Sequence, residues 1–364
     1  MNIVLKQLLG LLACVFLLYA GVLGLTLLLT PSAGKDRTLD TATAGKTFYA
    51  TEPKYVFLNR SSLRQEDNKV ILVGASNTVV GFRQPQLASL VSGASVGNLA
   101  VGGANFTEVS QIVDLVQEMQ SEAARRRSIF VVGMWYGMFA ENRYKWYTSD
   151  RHPGDTDIDI ERYRYFICGR GDQGPSYRLP LRFFNLEVNL VRPYLVLDWL
   201  SRELTNSARG AMRNGPQWRT EAERNAAVVS DSERRDALSY WRQAISRTDS
   251  LAGEQFDVLH RMLTTILDSG ARVVLVDLPL PQWHEQESPY MGSYRTQRDA
   301  LVADFKSRGN FAFMPMLDLD ADLDYSDEVH PKPRVTIAWS ERLAATLNPL
   351  VAAANSPALP QAMN

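Results

Sequence analysis

The sequence predicts an α/β domain, a parallel sheet with helices on both faces, carrying a large insertion and preceded by a transmembrane helix. Three observations predict it. Short, mainly apolar runs recur at 69–74, 95–100, 128–133 and 272–277, with a weaker one at 311–315. Runs of that length without polar alternation suit strands buried on both faces. Stretches with apolar residues near helical spacing lie between and after them, at 106–124, 232–269, 294–307 and 334–351. The third observation is the N-terminus, where no charged residue occurs from Gln7 to Thr30.

That apolar run is long enough to cross a hydrocarbon core of about 30 Å as one helix. It exceeds the roughly 7–15 apolar residues of a cleaved signal peptide, so residues 1–30 read as an uncleaved anchor. Leu11-Leu12-Ala13-Cys14 faintly resembles a lipoprotein processing site, but the apolar run continues well past Cys14. Lys6 and the amino terminus face Lys35 and Arg37 across the span, so charge bias sets no orientation. Residues 31–68 are polar, with Pro31 and Pro53, and read as a tether. The domain follows over 69–351, its rhythm broken at about 140–231 by an insertion rich in Arg, Tyr, Trp and Asp, and 352–364 form a flexible tail.

Composition narrows the function classes. Of the 364 residues 45% are hydrophobic and 22% charged, as in a folded globular protein. The formal net charge of −1 lacks the basic excess of a nucleic-acid binder. Cys14 and Cys168 cannot build a disulfide framework, and His152, His260, His284 and His330 are too scattered for a metal site. Neither metal nor cofactor is expected.

Functional groups of a doubly wound sheet collect at the carboxyl ends of its strands. The first strand ends in Gly74-Ala75-Ser76-Asn77, which sets a serine on a strand-to-helix turn. There a serine can act as a nucleophile if a base reaches it, or simply cap the helix. The second ends in Asn98-Leu99-Ala100-Val101-Gly102-Gly103, where the Gly103 amide could face an oxyanion or the glycine could serve the turn alone. Asp327-Glu328-Val329-His330, after the last strand, changes the balance. An Asp three residues before a His can orient the imidazole and leave its other nitrogen free to take the serine proton.

This ordered set resembles the SGNH/GDSL hydrolase superfamily. Gly74-Ala75-Ser76-Asn77 matches its nucleophile block, with Ala75 where many members have Asp; Asn98 and Gly103 match the second block, and Asp327 and His330 the last. The resemblance covers roughly 69–136 and 270–346. It implies Ser76, His330 and Asp327 as catalytic triad and the Ser76 and Gly103 amides as oxyanion donors. The third block, normally Gly-x-Asn-Asp, reads Gly133-Met134-Trp135-Tyr136, so only the indole N–H of Trp135 could stand in for its asparagine.

The anchor, the insertion and the missing asparagine make the chain similar to membrane-anchored proteins that O-acetylate bacterial extracellular polymers, such as the alginate O-acetyltransferase proteins and the D-alanyl-transfer protein of teichoic acid. What this implies is an acyl-enzyme resolved by a sugar hydroxyl of a polysaccharide acceptor. The acyl donor would come from a membrane-bound O-acyltransferase, with the domain on the periplasmic side of the inner membrane. An esterase with the same triad, or a weakly catalytic polymer-binding member of a secretion complex, are the rival expectations. Asn77, Tyr136, Arg143 and His284 are the candidate substrate contacts. His284 follows the fourth strand in a Pro-rich stretch that could reach the site mouth or lie on the surface.

Overall fold

The computed structural model describes residues 2–29, 60–145, 155–164, 167–171, 174–183, 221–246 and 248–355, together with 56–57 and scattered positions from 186 to 201. Five parallel strands form one sheet: β1 (Lys69–Val73), β2 (Ser95–Asn98), β3 (Ser128–Met134), β6 (Arg272–Asp277) and β7 (Phe311–Pro315). An antiparallel hairpin inside the insertion, β4 (Cys168–Gly171) and β5 (Gly174–Tyr177), stands apart from it. The order across the sheet is β2-β1-β3-β6-β7, so the chain reverses direction between β1 and β3. At such a switch point the connections from neighbouring strands leave towards opposite sides, and ligands of open α/β sheets bind there.

Alternation of side chains divides each strand between two cores. Ile71, Val73, Phe130, Val132, Val273 and Leu275 face a layer that includes Val109, Ile112, Leu259, Leu263 and Leu301. These come from the helices Phe106–Met119, Glu254–Asp268 and Met291–Phe305. Val70, Leu72, Ile129, Val131, Val274 and Val276 face Phe82, Leu87, Trp339, Leu343 and Leu347, carried by or next to the helices Gln84–Leu90 and Thr336–Asn355. Burial on both faces is why the strands read as mainly apolar runs.

Three boundaries differ from the sequence reading. Val56, Phe57 and Leu63 are fully buried in the first core, so the domain begins before residue 69 and only 31–55 of the proposed tether remains, outside the described residues. The stretch 106–124 breaks after Met119, and Ser121 caps a separate short helix, Glu122–Arg126, whose last turn carries Arg125 and Arg126. The last helix runs to Asn355, beyond the expected start of the tail. Part of the insertion packs into the domain: Ile158, Ile167 and Cys168 belong to the first core. At the N-terminus, the helix Asn2–Leu29 holds an apolar span, Ile3–Leu25, long enough to cross a membrane.

Candidate functional site

Ser76 opens the helix Ser76–Gly81 directly after β1, with Ala75 as the extended residue before it. The turn depends on glycine. Gly74 has φ +150°, and a Cβ there would meet Thr78 and lie 2.8 Å from the Gly133 carbonyl oxygen. Gly133 is bare for the same reason, since its Cβ would strike the Thr78 hydroxyl. Thr78 therefore wedges between β1 and β3 and sets Ser76 at the switch point. As the first helical residue, Ser76 has an amide with no intrahelical acceptor.

The partners of Ser76 come from the other end of the sheet. After β7 the chain crosses the carboxyl edge and enters the helix Thr336–Asn355, which packs on the helices that follow β1. The ring centroids of Trp339 and Phe82 lie 5.9 Å apart, and a Cβ on Gly81 would collide with Trp339. This packing brings His330 to Ser76, 254 residues away in sequence: His330 Nε2 is 2.8 Å from Ser76 Oγ. His330 Nδ1 lies 3.0 and 2.9 Å from the two carboxylate oxygens of Asp327. Asp327 Oδ1 also accepts the backbone N–H groups of Val329, at 3.0 Å, and His330, at 2.8 Å, closing a tight turn.

The electrostatics agree with that geometry. Burial would raise the Asp327 carboxyl, but His330 and the backbone donors outweigh it and hold it below the usual carboxylate range. Burial would lower His330, yet the charge and hydrogen bond of Asp327, helped by Glu328 and opposed by Arg224, lift it above the ordinary imidazole value. A carboxylate, an imidazole carrying its proton on Nδ1 and a hydroxyl on Nε2 form a relay that can draw a proton from the serine.

The remaining candidates separate sharply. Gly103 lies on an exposed turn with φ +70° and open space where a Cβ would be; Val101 N–H donates to the Gly74 carbonyl at 2.9 Å, so this turn adjoins that of Ser76. Asn98 is committed to its own turn, donating to the Phe82 carbonyl and accepting from Ala100 N–H. Trp135 directly follows β3, is 4% exposed, and its indole Nε1 has no hydrogen-bond partner among the described residues. Its ring meets Trp241, on the helix Asp231–Ala244 that follows the insertion, edge-on with centroids 4.8 Å apart.

Three of the four expected substrate contacts lie in the interior. Asn77, Tyr136 and His284 are each 0% exposed, and His284 lies under the loop after β7, bonded to the Glu328 carbonyl. Arg143 is exposed and pairs with Glu141 at 2.8 Å. Of the aromatic and arginine-rich segment Trp135 to Arg170, Trp146, Tyr147 and Arg151 lie outside the described residues.

One residue beside the triad had no sequence signal. Arg224, on the short helix Glu221–Ala226 of the insertion, donates to the Pro331 carbonyl at 3.4 Å and interacts with Asp327. Burial, then Arg83, hold its guanidinium below the ordinary arginine value. Arg83 pairs with Glu221 of the same helix, and Asn225 accepts the Arg334 N–H at 3.1 Å. No motif marks this segment, and only folding shows that it covers the His330 loop.

No protein-family model and no curated protein matches the chain.

Proposed function

We propose that the chain is an SGNH-type serine O-acyltransferase, anchored by its N-terminal helix, that modifies an extracytoplasmic bacterial polysaccharide. The observation that carries this reading is the unbroken hydrogen-bonded chain from Ser76 through His330 to Asp327 at the carboxyl edge of a parallel sheet. In this mechanism Ser76 Oγ attacks the acyl carbonyl while His330 Nε2 takes its proton and returns it to the departing donor group. A sugar hydroxyl then attacks the acyl-serine, giving its proton to His330, which protonates Ser76 as the ester leaves. Asp327 holds the Nδ1–H and stabilises the transient imidazolium.

The amides of Ser76 and Gly103 are the proposed oxyanion donors, and the indole N–H of Trp135, unpartnered among the described residues, is the proposed substitute for the third-block asparagine. Removing one such donor typically costs about 10²–10³ in rate. The partners implied are a membrane-bound O-acyltransferase that delivers the acyl group and the acceptor polymer, with the domain on the periplasmic face of the inner membrane. The aligned triad supports an active enzyme over a purely polymer-binding role.

The test is acyl-enzyme trapping. Full-length protein in detergent, incubated with p-nitrophenyl acetate, should gain one acetyl group on Ser76 by mass spectrometry, and Ser76→Ala should gain none. Label that persists in Ser76→Ala would refute the assignment. An oligosaccharide acceptor should speed deacylation and become esterified; if water alone resolves the intermediate, the protein is an esterase.

A further inference from the structure

We propose that His284, a residue with no contact to Ser76 in the relay, is a positioning residue that sets the triad by clamping the peptide between Asp327 and His330. The inference rests on the serine-enzyme reading above. His284 follows β6 on the short helix Gln282–Glu287, and the loop from β7 to the last helix passes over this helix. Three successive residues hold the loop: Gln282 N–H donates to the Asp320 carbonyl at 3.0 Å, Trp283 N–H to the Asp322 carboxylate at 3.2 Å, and His284 Nδ1 to the Glu328 carbonyl at 2.6 Å.

The third contact falls inside the Asp-x-x-His turn itself. The Glu328–Val329 peptide has its oxygen bonded by His284 and its N–H bonded by Asp327 Oδ1 at 3.0 Å. One rigid plane thus carries His284 at one end and the catalytic carboxylate at the other. If the plane turns, Asp327 loses a donor that orients it, and its grip on His330 Nδ1 loosens.

The chemistry of the cluster fixes the imidazole in one form. A carbonyl can only accept, so Nδ1 carries the proton. The neutral ring then presents Nε2 as an acceptor, and the hydroxyl of Tyr136 donates to it. Trp283 stacks on the same ring with centroids 5.0 Å apart and an 11° interplanar angle, and Tyr136 meets it edge-on at 5.4 Å. His284 is fully buried, so water cannot replace either bond. Burial also lowers it to about 4, against the pull of the Glu328 carbonyl and Asp327, which keeps it neutral wherever His330 can work. His330 itself faces Asp327, Glu328, Arg224 of the insertion and the Ser76 hydroxyl.

The test compares His284→Leu, which fills much of the space without a donor, with His284→Asn, whose side-chain amide can reach the Nδ1 position. Full-length protein is used in detergent, with p-nitrophenyl acetate turnover, thermal unfolding and NMR of [15N]histidine as readouts. His284→Leu should lose about 10–100-fold in kcat with little change in KM, as expected for lost support of a reacting group. Its His330 titration should fall by about half a pH unit or more, because the Asp327 contact that raises it is weakened. His284→Asn should recover most of the rate and of the His330 titration.

A folded His284→Leu with the wild-type His330 titration would overturn the proposal, as would an equal loss in both folded variants. If His284→Leu does not fold, Tyr136→Phe decides: it should weaken the clamp by freeing Nε2, lowering both kcat and the His330 titration relative to the wild type. An unchanged His330 titration in that variant would also overturn it. The NMR titration needs no substrate. A protein that fails to form an acyl-enzyme yet shows the His330 shift would refute the proposed activity and leave the clamp standing.

Discussion

His330 is held above the ordinary imidazole value because the Asp327 carboxylate stabilises its protonated form more than burial destabilises it. Catalysis in the proposed mechanism needs the neutral ring, so activity is lost on acidification. The acid limb of kcat/KM should have its midpoint above pH 6.5, the ordinary histidine value. Asp327→Asn removes the charge and leaves burial dominant, so the limb should move to lower pH while kcat falls about 10³–10⁴-fold. A pH–rate profile of each protein checks both. The linked stability has the opposite sense. A raised folded value favours protonated His330, so its contribution is present below the ordinary value and fades as pH rises through the folded one. Ser76 and the Asp327-x-x-His330 spacing were legible as residues. His284 was singled out as a substrate contact, but its place was not legible, because a histidine in a Pro-rich stretch has the same local sequence whether it lies on the surface or under a catalytic loop.

Among the elements, β6 and the helix Met291–Phe305 are joined by a buried ion pair. Asp277 ends the strand and accepts from Arg298 Nη1 at 2.6 Å and from the Tyr294 hydroxyl. Burial pushes the carboxyl up even against these partners. Its removal would leave Arg298 Nη1 without its buried carboxylate, the rest of the guanidinium being held by the exposed Asp299. Asp277→Leu should therefore cost about 3 kcal/mol in urea denaturation, and adding Arg298→Met should recover much of it, since a buried pair is worth little against an apolar replacement. The five strands could be read from their apolar runs because each is sandwiched between helices. The breaks in the helices were harder to see: Ser121 stops one helix and caps the next, and apolar spacing continues across the join.

For the whole molecule, the apolar span Ile3–Leu25 and the α/β domain make separate demands on the solvent. Full-length protein should stay with membranes through an alkaline carbonate wash, and a variant lacking residues 1–29 should be released. If the domain faces the periplasm as proposed, protease added to spheroplasts should digest it without lysis; protection until lysis would place it in the cytoplasm.

What the sequence determined by itself was whatever depends on local pattern: the apolar span, the strands buried on both faces, the glycine-bounded turn that presents Ser76, and the Asp-to-His spacing that closes a turn. Tertiary structure alone decided which distant pieces meet. Trp339 packing beside Phe82 carries His330 to Ser76, the loop after β7 buries His284 against the triad, and the insertion lays Arg224 over Pro331. Strand and turn formation follow from neighbours a few residues apart. These contacts join segments more than 40 residues apart, and their free energy comes from surfaces that do not exist until the sheet has formed.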